Sequence, residues 1–282
     1  MKKIFGIVLF VFLLVGCTDA KTNNEKEAIN LDKLNPKQVV VIKDAELEAI
    51  IREMIAKPEG DILAVDMEEV HSLNINFNNT PVRDISGLEY AVNLSDFSYR
   101  YGDSLVSLDP IRSCKELTYL NMSYSKIDSQ PAAFNTPSLE RINFTDSNIS
   151  DYNFLKNVTS AISLTLINNN IDSIDFIEDM AKLESVNLST NKISDISPLK
   201  DKVNLTSVTL HQNQVSSISA LEKCTKLEDV NISYNHVTNL EPLFNKENLS
   251  LITAYEELDQ KIIDRGQIST LIASGVEVNY HN

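Results

Sequence analysis

The sequence predicts an elongated α/β solenoid whose parallel strands line a concave face and whose N-terminal end is closed by a small helical cap. Three observations carry that prediction. First, Leu117, Leu139, Leu183, Leu205, Leu227 and Leu249 lie on one 22-residue lattice, with Ala161 at the remaining node. Second, the pattern beneath each node recurs: Leu183, Val186, Leu188, Asn191, Ile193, Ile196 and Leu199 are echoed by Leu205, Val208, Leu210, Asn213, Val215, Ile218 and Leu221. Third, composition leaves few alternatives. The 282 residues are 43% hydrophobic, with only seven Gly, eight Pro and three Cys, which excludes a disordered, low-complexity or disulfide-stapled chain. A formal charge of −15 has the wrong sign for a nucleic-acid backbone, so no nucleic-acid partner is expected.

The chain begins with Lys2 and Lys3, then an uncharged run from Ile4 to Gly16. Thirteen residues are too few to span a ~30 Å hydrocarbon layer, so residues 1–16 read as a signal peptide. Leu14-Val15-Gly16-Cys17 resembles the bacterial lipobox. That resemblance implies cleavage before Cys17, acylation of its thiol by chains such as palmitate, and attachment to the outer face of a Gram-positive membrane. Two or three acyl chains anchor a protein stably where one does not. Loss of residues 1–16 removes two lysines and no acids, moving the charge from −15 to −17. Residues 17–38 then read as the lipidated cysteine and a polar tether.

Residues 39–70 read as the cap. Asp44 is a candidate N-cap, and Leu47, Ile50, Ile51, Met54 and Ile55 follow at helical spacing until Lys57-Pro58-Glu59-Gly60. A shorter helix is expected over 64–70, with Leu63 an unexpected residue at its start. Residues 71–257 hold the repeats. In Leu183-x-x-Val186-x-Leu188 the apolar residues alternate like a short half-exposed strand. The few apolar side chains of one repeat cannot offset the entropy of ordering 22 residues, so repeats must stack and share a core. Extra residues fall near 101–104 and 78–81. Residues 258–282 close the array: a helix over 267–273, Gly275 at its C′ position, and a strand in which Val276, Val278 and Tyr280 alternate.

These residues resemble the leucine-rich repeat pattern L-x-x-L-x-L-x-x-N-x-I, in the 22-residue internalin wording that Asn191 to Leu199 show best. The stretch from Asp44 to Ala91 is similar to the helical cap of bacterial surface proteins carrying such repeats. The resemblance implies a right-handed leucine-rich repeat solenoid that binds a protein partner on its concave face. Internalins usually attach through the cell wall, so a lipid anchor here weakens any inference of host-cell invasion. Asn169, Asn191, Asn213 and Asn235 form a column at the turn after the strand, where an amide can serve both donors and acceptors. Ser125 and Ser147 replace Asn in that column, and looser geometry is expected there.

Chemistry-bearing motifs are absent from the sequence: no Gly-rich phosphate loop, G-x-S-x-G or H-E-x-x-H occurs. His71, His211, His236 and His281 lack metal-ligand spacing. No catalytic residue, metal or cofactor is therefore expected, and an enzyme is not. Cys114 and Cys224 occupy equivalent positions five repeats apart, at least ~20 Å at ~4.8 Å per repeat, beyond disulfide reach. Both read as buried apolar side chains.

The residues alternating with the buried ones form three exposed columns. They run from Asp96 through Tyr119, Arg141 and Ser163 to Asp229, from Ser98 through Asn121 and Asn143 to Asn231, and from Arg100 through Ser123, Thr145, Ile167 and His211 to Ser233. Most are small and polar. Arg100, Tyr119 and Arg141 stand out, with Tyr101 and Tyr124 just past their strands; Ile167, His211 and Tyr234 are weaker candidates. Tyr and Arg dominate protein-binding hot spots, which makes these the candidate contact residues. The alternative partner is a cell-envelope or host glycan, disfavoured by scarce aromatics and the absence of Trp.

Overall fold

The computed structural model describes residues 35–76, 82–102, 105–149, 151–255 and 263–280. The signal peptide, Cys17, most of the tether, the extra residues at 78–81 and 103–104, and His281 lie outside the described residues.

Ten strands form one parallel sheet in strict sequence order. They are β1 (Ser72–Asn76), β2 (Asp96–Arg100), β3 (Tyr119–Ser123), β4 (Arg141–Asn143), β5 (Ser163–Thr165), β6 (Ser185–Asn187), β7 (Ser207–Thr209), β8 (Asp229–Asn231), β9 (Leu251–Thr253) and β10 (Glu277–Asn279). Their register pairs Asp96 with Tyr119, Tyr119 with Arg141, and Arg141 with Ser163, so the first exposed column aligns residue by residue. One residue in two faces the core: Leu120, Ile142, Leu164, Val186, Val208 and Val230 are buried. Every lattice residue from Leu117 to Leu249, Ala161 included, joins the same buried cluster.

The other side of each coil is a 3-10 turn, as at Asp109–Ile111, Ser197–Leu199 and Glu241–Leu243. The repeat wording explains these turns. A Ser, Asp or Asn two residues ahead of the turn's first N–H accepts from it: Asp195 Oδ1 takes Ser197 N at 2.8 Å, Asp151 Oδ1 takes Asn153 N at 2.9 Å, and Asn239 Oδ1 takes Glu241 N at 2.9 Å. These are Asx turns, and Pro110, Pro198 and Pro242 follow where the missing N–H costs nothing.

At the opposite bend, where the strand ends, the residue before the asparagine column is left-handed in the six repeats from β3 to β8: φ is 55° at Tyr124, 52° at Asp146, 57° at Asn168, 59° at Thr190, 54° at Gln212 and 55° at Tyr234. The column's amides then clamp adjacent coils. Asn213 Nδ2 donates to the Leu188 carbonyl of the preceding repeat and to Leu210 O of its own, both at 2.9 Å, while its Oδ1 accepts from Ile193 N at 3.0 Å. Asn191 and Asn235 repeat the arrangement.

Ser147 keeps the left-handed residue before it but not the bonding. Its hydroxyl turns to Tyr152 OH at 3.1 Å and Asn169 Oδ1 at 2.9 Å, whereas Ser125 Oγ keeps the bond to the preceding repeat, donating to Tyr99 O at 3.2 Å and accepting from Gly102 N at 3.2 Å. Asn148, which follows Ser147 and is itself left-handed at φ 54°, accepts from Ile127 N at 3.2 Å in its place. The departure expected at this repeat is a displaced amide rather than a loosened turn.

Asp44 caps helix α1 (Ala45–Met54) by accepting from Glu46 N and Leu47 N, both at 3.1 Å. Its second oxygen accepts from Arg83 N at 2.8 Å and Asp84 N at 3.3 Å, which ties the cap to the first repeat. Gly87, at φ 106°, leaves room for the cap: a Cβ there would lie 2.9 Å from Ile42. The second cap helix is shorter than expected, a 3-10 turn over Asp66–Glu69. Its start is fixed by Asp66, which accepts from Leu63 N at 2.7 Å and pairs with Lys57 at 2.5 Å, so Leu63 needs no capping side chain. The Lys57 ammonium, with the Leu63 N–H, holds the Asp66 carboxyl below its ordinary pKa. At the far end α2 (Arg265–Ala273) begins two residues earlier than the pattern suggests, because Asp264 caps it. Gly275 is left-handed at φ 93°, and β10 pairs with β9.

The clamp predicts unequal costs for two alanine substitutions. Asn213→Ala leaves the buried Ile193 N–H without its acceptor and takes one of two amide donors from each of Leu188 O and Leu210 O, which keep Asn191 and Asn235; it should lower unfolding free energy by about 2 kcal/mol, whereas Ser147→Ala should cost about 1 kcal/mol. Chemical denaturation of both variants checks the order.

Candidate binding face

The sheet face carries the polar columns, and its N-terminal end gathers the large side chains. Arg141 lies over the Tyr119 ring, its guanidinium carbon 5.4 Å from the centroid, and approaches Asp96 at 4.0 Å. Asp96 itself accepts from Ser95 Oγ at 2.6 Å. On β2, Arg100 Nε donates to Asn76 Oδ1 at 3.0 Å. Just past β2 and β3, the exposed rings of Tyr101 and Tyr124 stack in parallel, with centroids 5.1 Å apart and planes within 1°. A Tyr at positive φ is an outlier, since that backbone favours Gly and Asn. The bend does not require Tyr: Asp146, Asn168, Thr190 and Gln212 fill the same position in later repeats.

Beneath the stack, Tyr99 turns inward and donates to the Val82 carbonyl at 2.7 Å. Gly102 sits against it, where a Cβ would fall 2.1 Å from the Tyr99 ring.

Sequence-identified candidates divide into two groups. Arg100, Tyr101, Tyr119, Tyr124 and Arg141 all lie on or just past β2–β4, in two separate contacts: Arg141 over Tyr119 at the strand starts, and the Tyr101–Tyr124 stack past the strand ends, next to Arg100. His211 and Tyr234 form a separate edge-to-face pair, 5.1 Å between centroids, at the end of β7 and β8. Ile167 is half-buried and lies apart from both.

Two features escaped the reading from sequence. One is a buried ring cluster of Phe134, Phe144, Tyr152, Phe154 and Phe176, with centroids 5.4 to 5.8 Å apart along the chain of contacts. The other is a hydrogen bond inside the Asn-x-Ser/Thr triplets of the strands. Ser123 Oγ donates to Asn121 Oδ1 at 2.5 Å, Thr145 Oγ1 to Asn143 Oδ1 at 2.8 Å, and Ser189 Oγ to Asn187 Oδ1 at 2.7 Å.

Cys114 and Cys224 are free and buried, as their spacing requires. Burial pushes the Cys114 thiol up to about 12. On the side of the 3-10 turns a cleft of 310 Å³ opens between Asp175, Glu178, Lys200 and Asp201, but its buried cation, Lys202, already donates to the Glu178 carbonyl at 2.7 Å. Among the described residues, no cluster of three or more His, Cys, Asp or Glu could hold a metal ion. No described helix is long and apolar enough to cross a membrane.

If the stacked rings serve recognition rather than folding, Tyr101→Asn and Tyr124→Asn should each change stability by less than about 1 kcal/mol. The lost stacking and the eased left-handed backbone largely offset one another. Thermal and chemical denaturation measure this; a loss of several kcal/mol would make the rings structural.

Comparison with known proteins agrees with this architecture. Residues 162–201 and 203–245 match the family of Leucine Rich repeats (2 copies). Internalin C2 from Listeria monocytogenes str. 4b F2365 is similar at 22% identity over 75% of this chain and 93% of its own, with a TM-score of 0.64. The functional domain of InlJ from Listeria monocytogenes, which includes a cysteine ladder, is 17% identical over 88% of this chain and 62% of its own, with a TM-score of 0.53. No curated protein sequence matches the chain. In fold, then, the chain is a leucine-rich repeat solenoid of the architecture these two proteins share.

Proposed function

We propose that the chain is a membrane-anchored, extracytoplasmic lipoprotein that captures another protein on the N-terminal end of its concave sheet, with Cys17 as the lipid attachment site. The observation that carries the reading is the assembly of Tyr119, Arg141 and the Tyr101–Tyr124 stack in one region of the sheet side. These rings and guanidinium groups are large and hydrogen-bonding, and their contacts lie among exposed or half-exposed side chains rather than in the core. Two domain assignments belong to the same proposal: a tether over 17–38, and a ligand-binding array over 71–257 between its caps. A second reading, recognition of a cell-envelope or host glycan, draws on the exposed faces of Tyr101 and Tyr124, to which sugar rings could stack. A glycan array decides between them.

Two experiments test the main reading. Cross-linking the anchored protein in its native cells, followed by mass spectrometry, should identify a partner whose capture falls at least about tenfold in Tyr119→Ala/Arg141→Ala. The variant's melting temperature should stay within about 2 °C of the parent, since the pair is half to fully exposed. Undiminished capture removes the site. Independently, Cys17→Ser should move the chain from the membrane pellet to the soluble fraction or medium. A variant that stays in the pellet refutes the lipid anchor.

A further inference from the structure

The concave sheet does more than display polar residues: it holds a row of side-chain amides with their donor ends outward. In Asn187-x-Ser189 the Ser189 backbone N–H and hydroxyl both donate to one atom of Asn187, at 3.1 and 2.7 Å. A backbone N–H can only donate, so that atom must be the amide oxygen, and Nδ2 is turned away from it. Asn231 is held the same way by Ser233 N at 3.0 Å. Asn121 and Asn143 accept the hydroxyls of Ser123 and Thr145 and sit in the same column, in register with Asn187 and Asn231. None of the four Nδ2 groups has a partner among the described residues. Asn121, at 6% exposed, is the most covered residue of the four.

Over β2–β4 these donors are flanked by the guanidinium groups of Arg100 and Arg141. The acid beside them on the strands, Asp96, already accepts from Ser95 and faces Arg141; Asp146, at the bend, accepts from Asn168 Nδ2. Small hydroxyls surround the rest. This region of an otherwise acidic protein is therefore rich in donors and short of free acceptors.

We propose that Asn121 and Asn143, with Arg100 and Arg141, bind carboxylates of an acidic peptide segment of the protein partner, and that Ser123 and Thr145 act as positioning residues that keep the amides turned outward. The proposal rests on the concave-face reading and adds to it the chemistry of what is bound. Carboxylates take two or more N–H donors each, and the amides are held in place before binding, so little ordering is lost on contact. The C-terminal end of the face lacks this character, since Asp229 and Glu277 stand on β8 and β10 where the arginines stand on β2 and β4.

A phage-displayed library of random 12-residue peptides, panned on the full chain and counter-panned on Tyr119→Ala/Arg141→Ala, tests it. Clones that bind the parent but not the counter-target should be enriched in Asp and Glu. They should bind Asn121→Asp/Asn143→Asp at least about tenfold more weakly, because each donor has become a repelling acceptor. Asp retains the oxygen that Ser123 and Thr145 bond, so the double variant keeps its fold and its melting temperature checks that. Clones that depend on Tyr119 and Arg141 but carry no acidic enrichment, or that bind the Asp variant undiminished, overturn the carboxylate proposal and leave the concave-face reading in place. If no clone depends on Tyr119 and Arg141, both fall.

Discussion

The left-handed residue past the strand end, and the amide that follows it from Asn169 to Asn235, are the constraint on which the regular part of this molecule depends. A 22-residue coil must turn out of its strand within two residues and meet the coil before it at a spacing of ~4.8 Å. A backbone that bends so sharply exposes carbonyls that the sheet no longer pairs, and these cannot be left buried and unpartnered. Asn213 shows the solution: one side chain serves Leu188 O, Leu210 O and Ile193 N across two coils. The cost of an irregular turn thus becomes the bond that sets the stacking distance. In the repeats from Asn169 to Asn235, strand register and the straightness of the exposed columns follow from it.

The same residue types do different work on the two sides of the coil. At the 3-10 turns, Asp195, Asp151 and Asn239 accept from the backbone two residues ahead and start a turn. In the strands, Asn187 also accepts from two residues ahead, but the backbone is extended, so the bond orients the amide without bending the chain. The local hydrogen bond is shared; its outcome is set by the backbone that carries it. This explains how a sequence so repetitive in Asn, Ser, Thr and Asp can specify a single fold. Each polar residue has one geometry available at its position in the lattice.

Much of this was legible in the sequence because it is periodic. The lattice placed the recurring core residues from Leu117 to Leu249, though not the rings of Phe134, Tyr152 or Phe154, and alternation on each strand placed the columns, since a shift of one residue would have put Leu120 or Val186 in water. The caps were legible from Asp44 and Gly275, whose roles are local. What was not legible depends on side-chain reach. Spacing identifies Ser147 as a gap in the Asn column but cannot show that Asn148 fills it, nor that Asp66 rather than a residue at 63 starts the second cap turn. The hydrogen bonds inside the Asn-x-Ser/Thr triplets were hidden as well, because their meaning lies in a rotamer. The Tyr101–Tyr124 stack was equally hidden: adjacency in the column was visible, parallel rings were not.

Regularity and candidate recognition are distributed in opposite directions along the solenoid. From Asn169 onward the amide column is unbroken, the repeats are 22 residues long, and the residues at the left-handed bend are mostly small or polar. Toward the N-terminus the column position holds Gly102, Ser125 and Ser147 in turn, and one repeat carries an extra residue. Tyr99 is turned into the core to brace the strand end, and the longest strands, β1, β2 and β3, occur there. Tyr101, Tyr124, Arg100 and Tyr119 belong to these irregular repeats. A chain selected for stability alone would continue the asparagine clamp to the cap, since Gly102 has no side chain to bond, Ser147 does not reach the preceding coil, and two of the bends place tyrosine in a backbone it disfavours. Concentrating those departures beside the arginines is what a binding surface requires, and the regular C-terminal repeats, with their own cap, supply the rigidity that lets the N-terminal ones depart from the rule.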